Sequence, residues 1–209
     1  MDTQQIEEIY NQTFSGLTLF YRDTVLSEKL IRTYQTGQIL MERRFTDMTY
    51  KGGGLITNFR YLIASANGKD LSAFNPDSAR FGHILLASNA FFKVLDIYQT
   101  EGKTQVFLLE IPETAVDFFA GATSNLEEEI IQKARANFDK KVTAEPVSEL
   151  QAQEWKERTG FPIGMNDQGE LFFQSKKTQP LPKVPFETVN PEKTSNVKPI
   201  SEKPWWKFW

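Results

Sequence analysis

Residues 81–112 read FGHILLASNAFFKVLDIYQTEGKTQVFLLEIP, and they have the strongest strand character in this chain of 209 residues. Val, Ile, Leu, Phe and Tyr dominate the stretch, as expected of a pleated surface that is at least half buried. The polar turn at residues 101–103, EGK, has the length and the glycine of a hairpin loop. We therefore predict strands over about 91–100 and 104–111, and we expect Pro112 to end the second one because it has no backbone N–H.

The rest of the sequence predicts strands before this hairpin and helices after it. Helical spacing of apolar residues indicates a first helix over 3–14. The segments that we predict as strands are 17–26, 31–34, 38–45 and 55–65. Beyond the hairpin we predict helices over 125–141 and 148–158 and a small hairpin over 161–174. This pattern gives an α+β fold, with a mostly antiparallel β-sheet of about five to seven strands followed by two helices and a small C-terminal hairpin.

The helix predicted over 125–141 carries the clearest local signals. Ser124 and Glu127 form a capping box, in which each side chain bonds the backbone N–H of the other residue. Ile130, Ala134 and Phe138 then recur on one face, with Glu and Lys on the other.

Three consecutive glycines, residues 52–54, interrupt the predicted strands. A phosphate-binding loop is also rich in glycine, but this spacing fits neither GxGxxG nor GxxxxGK[ST], and a predicted strand follows in place of a helix. We interpret the glycines as a flexible hairpin or bulge. Residues 66–82, rich in Asn, Asp, Ser, Gly and Pro, are predicted to form a loop.

Composition divides the chain at residue 175. Residues 1–175 have the patterns of a single α+β domain, whereas residues 176–209 contain seven Lys, three Glu and six of the ten prolines. This tail carries a net charge of +4 and the remainder −7, out of a total of −3. Such a composition buries too little apolar surface to offset its chain entropy, so we predict an extended Pro- and Lys-rich tail.

The cysteine and histidine counts limit the available chemistry. The chain has no Cys and one His, which excludes a disulfide framework, thiolate catalysis and a Cys/His zinc site. We predict no metal site and no cofactor. The N-terminus lacks the basic start and apolar run of a signal peptide, and no stretch of about 18 apolar residues is present. Because a Cys-free chain suits a reducing compartment, we expect a cytoplasmic protein.

Four residues in or beside the predicted loop are the candidates for an active site. Asp70, Asp77, Arg80 and His83 combine two carboxylates with a guanidinium and an imidazole, a set that can serve acid–base or phosphate chemistry. A Ser-His-Asp triad is arithmetically open to His83, but no GxSxG elbow accompanies it. We favour a solvated loop with a structural histidine. A small hydrolase or transferase acting through residues 70–83 is the alternative function.

Basic and aromatic residues alternate along the first predicted strands. The members of this set are Arg43, Arg44, Tyr50, Lys51, Arg60 and Tyr61. Proteins bind single-stranded nucleic acid with such aromatics and cations, and a small β-domain with an aromatic-ended tail is loosely similar in layout to the single-stranded DNA-binding proteins. The tails of those proteins are acidic, however, whereas this tail is basic. Nucleic-acid binding is therefore the third function, and nucleic acid is an unexpected partner.

The tail ends in an aromatic cluster. Its members are Trp205, Trp206, Lys207, Phe208 and Trp209. Exposed aromatic clusters commonly mark docking sites, and Trp is enriched at interface hot spots. We therefore predict a non-enzymatic interaction or assembly protein that binds another protein through this cluster, as a component of a larger assembly. A membrane surface is the alternative partner. The simplest interpretation is that the tail folds back onto its own domain.

Overall fold

The computed structural model describes residues 2–121 and 125–175 of the chain. The strands in this part are β1 (Thr18–Thr24), β2 (Ile39–Glu42), β3 (Thr46–Thr49), β4 (Phe59–Ser65), β5 (Lys69–Asp70), β6 (His83–Leu86), β7 (Ala90–Thr100) and β8 (Lys103–Ile111). The helices are α1 (Thr3–Phe14), α2 (Glu28–Ile31), α3 (Pro76–Phe81), α4 (Val116–Gly121), α5 (Asn125–Val142) and α6 (Gln153–Thr159). Within these residues no helix is both long enough and apolar enough to cross a membrane.

The strands form one sheet of eight, in the order β2-β7-β8-β4-β1-β3-β6-β5. β4 and β8 run parallel, and the other neighbours in the described sheet run antiparallel. The predicted α+β class with a mostly antiparallel sheet is therefore confirmed. The β7–β8 hairpin also matches its prediction, and its turn uses positive φ angles of 50° at Glu101 and 72° at Gly102, the conformation that a tight hairpin favours.

The sheet is nearly divided in two between β1 and β3. These strands pair at a single position, Tyr21 opposite Thr49. Beyond it β1 continues beside β4, and β3 continues beside β6. Residues 22–24 of β1 and 46–48 of β3 therefore diverge, and they leave an opening between a five-stranded and a three-stranded part.

Two large apolar cores fix this arrangement, and a smaller cluster packs Leu55 against Phe138 and Val142 of α5. The first lies between the two parts of the sheet and joins Phe92 and Leu108 of the larger part to Met48 and Ile84 of the smaller one. The second lies on the far face of the larger part, under α1, α4 and α5. Ala134 contributes to it from α5, in keeping with the apolar stripe of that helix.

Two predictions are wrong because side chains cap short helices. The strand predicted at residues 31–34 is absent: the Ser27 hydroxyl accepts a hydrogen bond from the Leu30 N–H, α2 ends at Ile31, and residues 32–33 follow as a turn. The loop predicted at 66–82 contains β5 and α3. Asn75 caps the start of α3, and Gly82 ends it in the left-handed conformation, at φ 59°.

The C-terminal part of the fold also differs from its prediction. The hairpin expected over 161–174 is reduced to one isolated bridge, between Met165 and Leu171. Met165 and Ile163 are buried in the core between the sheet parts. In the described residues, three α-helices follow the β7–β8 hairpin where two were expected. The long helix is present as α5, while the predicted cap at Ser124 lies outside the described residues.

The triple glycine is explained by close packing. A Cβ at Gly54 would lie 1.8 Å from the carbonyl oxygen of Ala144, and one at Gly53 would lie 2.7 Å from the Val147 side chain. The Gly54 N–H also donates to the Glu145 carbonyl, at 3.0 Å. These residues therefore let two backbone segments touch, and the interpretation as a flexible bulge is corrected.

Candidate active site

The only histidine lies between a carboxylate and a hydroxyl. Nε2 of His83 is 2.8 Å from Oδ1 of Asp47, and Nδ1 is 3.4 Å from Oγ of Ser78. Asp47 lies on β3, His83 begins β6, and Ser78 is on α3. The imidazole and the hydroxyl are buried, whereas the Asp47 side chain keeps 18% of its surface exposed. The result is a Ser-His-Asp arrangement in which each ring nitrogen has a partner.

Local structure holds the three residues together. The pairing of β3 with β6 puts Thr49 opposite His83 and Asp47 opposite Leu85, so Asp47 and His83 share one face of the small sheet. The Thr49 hydroxyl donates to the Phe81 carbonyl at the end of α3, at 2.6 Å. This bond fixes α3, and with it Ser78, against the start of β6.

The geometry selects one tautomer of His83. A carboxylate only accepts hydrogen bonds, so the imidazole donates Nε2–H to Asp47. Nδ1 then carries the lone pair and accepts a hydrogen bond from Ser78. The 3.4 Å separation is longer than a tight hydrogen bond.

α6 covers the histidine. The Trp155 ring meets the His83 ring edge-on with 5.4 Å between centroids, and it stacks on Phe81 at 5.2 Å. Arg158, on the same helix, has a guanidinium nitrogen 3.9 Å from Asp47. The site is therefore shielded from solvent by a single short helix.

Arg22 lies in the opening between β1 and β3, beside this site. Its guanidinium donates to the carbonyl oxygens of Thr159, at 3.3 Å, and Phe161, at 2.8 Å. Burial lowers the pKa of Arg22, and the nearby Tyr61 and Asp47 partly oppose that shift. Arg44 stacks on the Phe161 ring at 4.4 Å. The guanidinium groups of Arg22 and Arg44 therefore both contact residues 159–161.

Two tyrosines complete the buried polar surface of the opening. The hydroxyl oxygens of Tyr34 and Tyr61 are 2.5 Å apart. Burial raises the pKa of Tyr61 to about 12 and raises that of Tyr34 well above its ordinary value, so both hydroxyls stay protonated and can donate.

The structure places the four candidate residues of the predicted loop in different surroundings. Asp70 is exposed on β5 and accepts a hydrogen bond from the Ser72 N–H, which lowers the pKa of its carboxyl. Asp77 is exposed in the first turn of α3. Arg80 pairs with Glu154 of α6, at 2.6 Å. His83 alone joins the arrangement described above.

Sequence reasoning did not find Asp47, Ser78 or Arg22. The available signal was the short separation between Ser78 and the single His83, five residues along the chain. Asp47 is brought in by strand register, and Arg22 by the packing of a distant segment, and neither leaves a local pattern.

The basic and aromatic residues that suggested nucleic-acid binding do not line one surface. Arg60 is buried and binds Asp23 through two hydrogen bonds, of 2.6 and 2.7 Å. Tyr61, the next residue along β4, is buried in the core between the two parts of the sheet. Lys51 donates to the Arg80 carbonyl at 2.6 Å. Further members are Arg43, which stacks on Phe172, Arg44, which stacks on Phe161, and Tyr50, which is exposed.

Two predictions concern sites for other ligands. The tail cluster at residues 205–209 lies outside the described residues. Across residues 2–121 and 125–175, no group of three or more His, Cys, Asp or Glu side chains is arranged to hold a metal ion.

The chain was compared with known proteins. No protein-family model matches it, and no curated protein matches it in sequence. Solved structures do match. The type III effector XopAI from Xanthomonas axonopodis pv. citri is 17% identical, over 49% of this chain and 46% of that one, with a TM-score of 0.41. The ADP-ribosyltransferase HopU1 of Pseudomonas syringae is 20% identical, over 46% and 45%, with a TM-score of 0.40.

A third match is exoenzyme S from Pseudomonas aeruginosa, solved in complex with human 14-3-3 protein beta and bound to carba-NAD. It is 15% identical over 61% of this chain and 63% of that one, with a TM-score of 0.42. The first two matches span about half the length of those structures. The prediction of a non-enzymatic docking protein is corrected here, because the matched structures include two proteins named as ADP-ribosyltransferases, HopU1 and Vis from Vibrio splendidus.

Proposed function

We propose that this chain is a group-transfer enzyme whose catalytic residues are Ser78, His83 and Asp47. One observation carries the proposal: the only imidazole of the chain is buried with Asp47 on Nε2 and the Ser78 hydroxyl on Nδ1. A hydroxyl, a base and a carboxylate that orients the base are the parts of an activated nucleophile. The proposal follows the alternative function predicted from sequence, a hydrolase or transferase acting through residues 70–83.

The geometry assigns a role to each residue. His83 Nδ1 takes the proton of Ser78 as Oγ attacks the electrophilic carbon of a donor, and the leaving group departs with the electron pair of the broken bond. Asp47 stabilises the imidazolium that forms. After His83 releases that proton to solvent, it takes one from the acceptor, which attacks the same carbon. The bond to Oγ breaks, and Ser78 recovers its proton from His83.

The arginines around the site favour an anionic donor. Arg22, Arg44 and Arg158 gather at the segment that covers it, and guanidinium groups are well suited to bind phosphate. A dinucleotide with a pyrophosphate has this chemistry. NAD is the first donor to test, and ADP-ribosyl transfer is the reaction for which two of the matched proteins, HopU1 and Vis, are named. A protein partner stays part of the proposal, since exoenzyme S is itself seen in complex with a 14-3-3 protein.

The test is nicotinamide release from NAD by the full-length chain, with water as the acceptor. We expect His83→Gln and Ser78→Ala each to lower the rate by about 10²–10⁴-fold, the usual contribution of an acid–base group. Asp77→Asn is the matched control, because it alters an exposed carboxylate one residue from Ser78 on the same helix. Equal rates in all four proteins would contradict the proposal. The proposal would also be contradicted if nicotinamide were released neither by the wild-type chain nor by the opened variants described below.

A further inference from the structure

The segment that covers the site is bound to it through polar groups as well as through buried apolar side chains. We call residues 153–165 the strap. It comprises α6 and the chain that follows, and it crosses the opening between β1 and β3. The Thr159 hydroxyl donates to the Asp23 carbonyl of β1 at 3.2 Å. Arg158 approaches Asp47 of β3. The strap thus contacts both strands where they have separated.

The backbone of the strap satisfies a row of buried side chains. Both hydrogen bonds described for the Arg22 guanidinium end on strap carbonyls. A carboxylate oxygen of Glu42 accepts from the Gly164 N–H at 2.7 Å. At Ile163, the carbonyl accepts from Tyr34 at 2.7 Å and the N–H donates to Tyr61 at 2.9 Å. A cation, a carboxylate and two phenols are thus paired with peptide groups of one short segment.

A fixed structural contact does not require buried ionic and polar groups of this kind. A buried cation is costly unless a carboxylate or several hydrogen bonds compensate it, and an apolar lining would hold a fixed strap at lower cost. The same side chains can instead bind the polar groups of a ligand when the strap is displaced. Trp155, Ile163 and Met165 are almost fully buried, so the closed arrangement is the resting state and its opening must be compensated by a ligand or partner.

We propose that residues 153–165 are an autoinhibitory strap, whose release exposes His83 and Ser78 together with the polar surface formed by Arg22, Tyr34, Glu42 and Tyr61. The inhibitory consequence rests on the proposed function, but the opening itself does not. Since α6 carries both Trp155 over His83 and the Thr159 carbonyl on Arg22, one displacement uncovers the catalytic residues and the cation together.

The single histidine gives a direct measure of opening. Diethyl pyrocarbonate modifies accessible imidazoles, and peptide mass mapping isolates the peptide that carries His83. The opening variant is Gly164→Ala. Gly164 has a φ of +80°, and its Cβ would lie 2.8 Å from the Leu40 Cβ. Gly37→Ala is the matched control, because Gly37 has a φ of +81° and no atom within 4 Å of its Cβ position. Both variants share the backbone strain, and one adds the clash.

A second pair acts at the surface and leaves the core packing intact. Glu154→Lys places a cation against Arg80, which Glu154 now contacts at 2.6 Å. Glu157→Lys makes the same charge change on the same helix, where Glu157 bonds Gln153 one turn away. We expect Gly164→Ala and Glu154→Lys to speed His83 modification by about tenfold, through more frequent local opening, and the two controls to match the wild-type chain.

The outcomes separate the two proposals. Faster modification with faster nicotinamide release supports both. Equal modification in all folded variants, as judged by far-UV circular dichroism, overturns the strap whatever the NAD result. Faster modification with unchanged NAD turnover overturns its inhibitory role. Faster modification without nicotinamide release from any protein overturns the proposed function and leaves the strap as a cover that opens.

Discussion

At the scale of single residues, the charges on the sheet differ in how they are compensated. Arg60 binds Asp23 through two short bonds, and Arg135 binds Asp96 in the same bidentate way. Glu110 has no such partner among its described hydrogen bonds: it accepts from the Ser65 hydroxyl at 2.5 Å. Burial raises the pKa of the Glu110 carboxyl, and hydrogen bonds from Ser65 and Asn67 oppose this only in part.

This carboxyl should make stability depend on pH in a defined direction. Because the folded-state pKa of Glu110 lies above its ordinary value of 4.5, the folded protein holds more protons than the unfolded one between the two pKa values. The free energy of unfolding therefore falls as pH rises through that window. Glu110→Gln keeps an acceptor for Ser65 and removes the charge. We expect the free energy of unfolding of the variant relative to wild type to rise with pH over this window.

Urea unfolding of both proteins from about pH 4 to about pH 7 measures the difference. Glu113→Gln removes a carboxylate from the exposed surface three residues away and serves as the control. A difference between Glu110→Gln and wild type that stays constant with pH would show that Glu110 is not the group responsible.

At the scale of elements, two of the three consecutive glycines, Gly53 and Gly54, are required by close packing against residues 144–147. Gly54→Ala would force a Cβ onto the Ala144 carbonyl oxygen, a backbone atom that cannot rotate away. We expect a loss of about 3 kcal/mol or more in unfolding free energy. Gly16→Ala, at a φ of +76° with no atom within 4 Å, should lose only the roughly 1–2 kcal/mol of a left-handed alanine. Equal losses by denaturant titration would mean that the 144–147 segment moves aside.

The elements that sequence could predict are those whose signals are local and repeated. The β7–β8 hairpin has long apolar strands and a glycine turn, and α5 has an apolar stripe formed by Ile130, Ala134 and Phe138. The short helix α3 depends on one capping side chain, Asn75, which composition does not distinguish from a loop.

The candidate site could be predicted only in part, for a different reason. His83 stands out as the single histidine of the chain. Asp47 reaches it because β3 pairs with β6 in one register, and a slip by one residue would turn that carboxylate to the other face. The bonds from Arg22 to Thr159 and Phe161 span 137 and 139 residues. Contacts of this range depend on the completed fold, and single-sequence patterns do not encode them visibly.

At the scale of the whole molecule, the single pairing between β1 and β3 explains why a site exists here. A continuous ladder would have satisfied the backbone of both strands and left no space between them. With only Tyr21 and Thr49 paired, the strap contacts both strands beyond them: the Thr159 hydroxyl donates to the Asp23 carbonyl of β1, and Arg158 approaches Asp47 of β3. The sheet is thus held together across its opening by the same segment that shields His83.

The last prediction concerns the C-terminal boundary of the folded domain. A fragment of residues 1–175 should fold on its own, because both apolar cores and the strap contacts are made within it. It also retains one of the four tryptophans, Trp155, which packs on His83 and Phe81. Its emission therefore reports the strap alone, while far-UV circular dichroism reports the whole fold.

Unfolding of this fragment by urea should give one cooperative transition by circular dichroism, near the midpoint of the full-length chain. Loss of that transition would show that residues 176–209 complete the core and that the boundary is wrong. Within a folded fragment, Trp155 emission should change at or before the main transition, because the strap is held by a few polar bonds and three apolar side chains. A Trp155 signal that persists beyond the unfolding of the sheet would be incompatible with a strap that opens first.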